Sequence, residues 1–150
     1  MNVMNRNWLF KYGCLGVAVI YVLLAGSILL RGAEASMQPF GVPEPVVGSP
    51  HYADAITWVY VHMTVLGVLI GVVGWFAEGL RFQRAFCATM VVVHLVYLYL
   101  DLRTSDTAIG NSLYKGPESA IPAMIGFVLL VVFAGLCLVT FQSSDAQPDN

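Results

Sequence analysis

Long uncharged runs alternate with short polar links along this chain. Four runs stand out, at residues 12–30, 55–77, 85–100 and 119–141. A helix needs about 20 apolar residues to cross the hydrocarbon core of a bilayer, within a range of about 17–25. The first, second and fourth runs fall within that range, and the third stops just short of it. Arg84 and Asp101 flank the third run and supply the missing length by reaching towards the headgroups. None of the runs alternates apolar and polar positions as a barrel strand must. Backbone groups in lipid have to satisfy one another, so the runs predict helices at about residues 8–30, 50–77, 85–101 and 119–141. The expected fold class is an all-α four-helix transmembrane bundle, one domain over residues 1–150.

Local signals sharpen the ends. Ser49-Pro50 predicts an N-cap followed by proline in the first helical position, and Ser119 predicts a cap with Pro122 in the first turn. Pro39, Pro43, Pro45 and Pro50 predict an extended loop over residues 38–50. Arg6, Lys11, Arg81 and Arg84 gather on one side, on a short tail and a very short loop, against Arg31, Arg103 and Lys115 on the other. The positive-inside rule then predicts both termini in the cytoplasm. Basic residues, an apolar run and Ala33-Glu34-Ala35 together mimic a signal peptide. The run exceeds the usual length of about 7–15 residues, which favours a retained membrane helix.

Composition agrees. The chain is 58% apolar and 11% charged, where soluble domains carry about a quarter charged residues. That excludes a disordered chain and a water-soluble globule, and makes the lipid bilayer the first partner. A net charge of −2 without a basic patch argues against nucleic acid. Cys14, Cys87 and Cys137 all fall towards the cytoplasmic side and form no C-x-x-C pair, so free apolar thiols are expected, with a three-thiolate metal site as the alternative.

The most specific feature is where the histidines fall. His62 is seven residues past Ala55, and His94 is seven before Asp101. Each is therefore about 10 Å deep from the same outer surface. His51, Asp54, Trp58 and His62 share one helical face, and so do His94, Tyr97 and Asp101. Polar groups inside membranes usually face a bundle interior, so the two faces are expected to meet. Four readings compete. His62 and His94 are axial ligands of a haem b; or His51, His62 and His94 hold a transition metal with a carboxylate; or Asp54, Trp58, His62, His94, Tyr97 and Asp101 bind a quinone or another hydrophobic small molecule; or these residues satisfy one another and fix helix register.

Gly67 and Gly71 form a G-x-x-x-G, with Gly74 beyond, which lets helix backbones approach and offers a helix–helix contact. Gly67 lies about 140° from His62 around the helix, so this segment has two contact faces. No phosphate-loop, zinc-protease or serine-hydrolase motif occurs, and no catalytic residue is assigned. No repeat relates the two halves as a transporter would require. The expected role is a non-enzymatic accessory subunit or a binder of a hydrophobic compound, with the membrane redox protein as alternative.

The run His94, Tyr97, Asp101-Leu102-Arg103-Thr104-Ser105-Asp106, then Gly110-Asn111-Ser112-Leu113-Tyr114-Lys115-Gly116-Pro117, with Tyr52-Ala53-Asp54 before Trp58, resembles the BphX-like family of small bacterial membrane proteins. The resemblance implies a bacterial inner-membrane protein, assigns no reaction and carries over no catalytic residue. The polar loop after Leu102 is expected to fold over the bundle mouth and cover the histidine face.

Overall fold

The computed structural model describes residues 3–104 and 119–142. Its elements run α1 (Val3–Arg31), α2 (Ala33–Met37), a 3-10 turn (Gln38–Phe40), α3 (Glu44–Val47), α4 (Pro50–Phe76), α5 (Leu80–Thr104) and α6 (Ile121–Gln142), with no strand among the described residues. α1, α4, α5 and α6 are long and apolar enough to cross a membrane. The marginal third run is the interior of the 25-residue α5, about 37 Å long at 1.5 Å per residue. The expected cover over the bundle mouth, residues 105–118, lies outside the described residues.

Helix starts follow the local signals only in part. Ser49 has extended backbone angles and Pro50 opens α4, but the Ser49 hydroxyl makes no capping bond. α6 opens at Ile121, so Pro122 sits in the first turn, while the amide of Met124 bonds the carbonyl of Ala120 rather than that of Ser119. Residues 38–50 are not extended. Pro39 and Pro45 occupy first-turn positions of the 3-10 turn and α3, where a missing N–H loses nothing. Gly41, at φ 70°, reverses the chain between them. This folds Met37, Val42 and Val47 into a small second core against Ile28, Ile56 and Tyr60. Apolar burial, absent from a proline count, decides the conformation here.

The four long helices form two tight pairs, α1 with α4 and α5 with α6, and α1 also meets α6. The glycine seam builds the first pair. A Cβ on Gly67 would lie 2.6 Å from the Cβ of Tyr21, and one on Gly71 would lie 3.2 Å from that of Ala18. One on Gly74 would strike Cys14. The partner of the Gly67 and Gly71 face is therefore α1 of the same chain. Phe10, Val17 and Ile70 then meet Met90, Leu129 and Phe133 in one core that joins the pairs.

One end of the bundle, the terminal end, holds the start of α1, the 77–79 turn and the end of α6. There Arg84 donates to the carbonyls of Thr140 (3.0 Å) and Phe141 (3.4 Å), which satisfies the last turn of α6. Gln83 donates to the Ala77 carbonyl at 2.8 Å and to Asn7 at 3.3 Å, and Lys11 lies 3.3 Å above the ring of Trp75. The opposite, loop end carries α2 and α3. Cys14 and Cys87 are buried, Cys137 is half-buried, and all three are free thiols.

The seam has a direct test. Gly67→Ala should lower the stability of the chain in micelles by about 1–3 kcal/mol, because neither Tyr21 nor the α1 backbone can withdraw. Gly16→Ala, with open space around it, should leave stability unchanged or slightly raised.

Candidate functional site

α5 turns Gln83, Cys87, Met90 and His94 inward. His94 is fully buried at 0% exposure, and its ring lies 4.9 Å from that of Phe133. Its Nδ1 is 2.7 Å from the Met90 carbonyl, one turn earlier. A carbonyl can only accept, so Nδ1 carries the proton and Nε2 is the acceptor of a neutral imidazole. The Tyr21 hydroxyl, 2.9 Å away, donates to that Nε2. Both ring nitrogens of His94 are thus taken, and the bond ties α1 to α5.

His62 repeats the first half of this arrangement. Its Nδ1 is 2.7 Å from the Trp58 carbonyl, again one turn earlier, so in the neutral ring the proton is again on Nδ1 and Nε2 is the acceptor. Here, however, Nε2 has no donor among the described residues. The imidazole is exposed and stacks on the indole of Trp58, with ring centroids 4.9 Å apart. His51 and Trp58 are exposed too, Trp58 at 68%, and Asp54 is exposed beside them. The reason is rotational. At about 100° per residue, these four positions lie roughly 140–180° from Gly67, on the side of α4 turned away from α1.

The two polar faces therefore do not meet as expected. His62 and His94 stand at the same height, each about 21 Å along its helix from the 77–79 turn. They point in different directions. A haem b between them does not fit these residues, because Nε2 of His94 accepts from Tyr21 and His62 faces outwards. His51, His62 and His94 do not converge either, and among the described residues no group of three or more His, Cys, Asp or Glu is placed to hold a metal. Tyr97 keeps its ring beside His94, centroids 6.2 Å apart, and is 40% exposed. Asp101 is half-buried beside α6, where a Cβ on Gly126 would lie 3.1 Å from its carboxylate oxygen.

Tyr21 is the residue that pattern reading overlooked. Its signal was depth: it lies ten residues from Arg31, and His94 lies nine from Arg103. A lone hydroxyl at that level in an apolar helix needs an acceptor.

Two further hollows lie at the loop end between α1 and α4. One is a cleft of about 40 Å³ lined by Ile28, Leu29, Ile56 and Tyr60. The other is an open recess of about 460 Å³ that shares Gly32 and Thr57 with it and adds Arg31, Glu34 and Gln38. No family model, curated protein or solved structure matches this chain.

Removing the donor isolates the buried bond. Tyr21→Phe should destabilise the chain by about 1–2 kcal/mol, because it strands Nε2 of His94. In a double-mutant cycle with His94→Leu, unfolding in micelles should show the two losses to be clearly less than additive.

Proposed function

We propose that this chain is a multi-pass, non-enzymatic protein of the bacterial inner membrane, an accessory subunit that joins its partner through the polar face of α4. The observation that carries this reading is the free acceptor of His62. An acceptor left unpaired in hydrocarbon costs several kcal/mol, and polar side chains within spans almost always face protein or water. No described residue of the chain supplies that donor, and in this reading another molecule does.

Orientation rests on charge. Arg6, Lys11, Arg81 and Arg84 stand at the terminal end, against Arg31 and Arg103 at the loop end and Lys115, which lies outside the described residues in the link from α5 to α6. The positive-inside rule then sets the terminal end in the cytoplasm and His62 in the outer leaflet. Trp8, Tyr12, Trp75 and Phe76 are all exposed around the terminal end, as residues of an interfacial aromatic belt are. The resemblance to the BphX-like family supports the bacterial inner membrane.

The rival reading, a binder of a quinone or another hydrophobic compound, is less well served. Such sites occupy about 300–1,000 Å³ with mostly apolar walls. The apolar cleft here has about 40 Å³, little more than one water's share of the liquid. The larger recess presents Arg31, Glu34 and Gln38 instead.

Gentle extraction of the native membrane should yield the chain in an assembly larger than a single copy of itself. His62→Leu should release it as a single chain of unchanged helicity. A wild-type chain that is single in the membrane, or an assembly indifferent to His62→Leu, contradicts the proposal.

A further inference from the structure

α4 and α5 are the open edges of the bundle. Only 17% of the most apolar stretch of each is buried inside the chain, against 28% for α1 and α6. The outward face of α5 is Val92, Val96, Tyr99 and Arg103, all exposed and roughly 140–180° from the inward His94. Tyr99 and Arg103 have no side-chain partner among the described residues, and neither does Asp54 on α4.

Heights match across the two edges. Measured from the helix ends at the shared 77–79 turn, Asp54 lies about 33 Å along α4 and Arg103 about 34 Å along α5. Trp58 and Tyr99 lie about 27 and about 28 Å along. Helical side chains lean towards their own N-terminus, so the phenol of Tyr99 leans inwards along α5, to the level of the His62 imidazole. Below these, Val65 of α4, about 16 Å along, stands level with Val92 of α5, about 18 Å along, and both are exposed.

We propose that a second copy of this chain supplies the missing donor: the outward face of α5 in one copy covers the polar face of α4 in the next, head to tail. This rests on the reading that the α4 face is a contact surface, and it names the partner. Arg103 meets Asp54, the Tyr99 hydroxyl donates to Nε2 of His62, and Val92 packs against Val65. The two helices run antiparallel, as consecutive membrane helices do. Pairing α4 with α4 about a two-fold axis does not serve, because it sets acceptor against acceptor at His62 and carboxylate against carboxylate at Asp54. A head-to-tail contact leaves one free edge of each kind, so copies close into a ring or extend as a row.

The test uses the purified full chain in lipid nanodiscs and vesicles. Wild type should self-associate. Asp54→Arg and Arg103→Asp should each weaken association about tenfold, and the double reversal should restore it to within about threefold. Tyr99→Phe should weaken it without changing helicity. Asp54→Cys with Arg103→Cys should cross-link into a ladder of dimers and trimers, and neither single variant should. Cross-linking by Asp54→Cys alone, or a double reversal weaker than both singles, overturns the head-to-tail contact. A purified chain that stays single while the native-membrane assembly persists overturns the second copy and leaves the accessory reading with a different partner. A chain that is single in both settings removes both.

Discussion

The hydrogen bond from Tyr21 to His94 holds the two halves of this bundle in one arrangement. Tyr21 acts at both ends of its side chain. Its Cβ lies against the gap left by Gly67, which brings α4 close to α1, and its hydroxyl donates to the buried imidazole on α5. In lipid, apolar side chains gain little by leaving one apolar solvent for another, so packing and polar pairing decide which helix lies where. The glycine seam supplies the packing and Tyr21–His94 supplies the pairing. Phe133, against the His94 ring, extends the link to α6.

The same requirement gives the molecule an asymmetry. His62 and His94 have equal heights, equal backbone bonds and therefore the same tautomer. One acceptor is met inside the fold. The other is presented outwards under a stacked indole, beside a carboxylate and at the level of a phenol on the opposite edge. That outward polar face, on a helix long and apolar enough to cross a membrane, is what the proposed partner contact rests on.

The four long helices were legible in the sequence because length and the absence of charge are sufficient signals in a bilayer. The third run needed only the ends that Arg84 and Asp101 marked. The equal depth of His62 and His94 was legible too, since depth is a count of residues. Direction was not. Whether His62 faces His94 depends on which side of α4 is taken by α1, and that is set by Gly67, Gly71 and Gly74. The angle of about 140° between Gly67 and His62 already held the answer. Tyr21 was missed because a single phenol in an apolar run has no spacing partner on its own helix. Residues 38–50 were misread because proline interrupts a helix interior and is welcome in a first turn. The burial of Met37, Val42 and Val47 chose between these.

The central claim is that two histidines in one tautomer differ only in who supplies their donor. Solid-state nitrogen spectra of the imidazoles in bilayers test it directly. In the neutral form both rings should carry the proton on Nδ1. The Nε2 signal of His94 should be independent of protein-to-lipid ratio, while that of His62 should move on dilution into lipid, as its donor is lost. A His62 that carries its proton on Nε2, or whose signal ignores dilution as His94's does, would contradict the account.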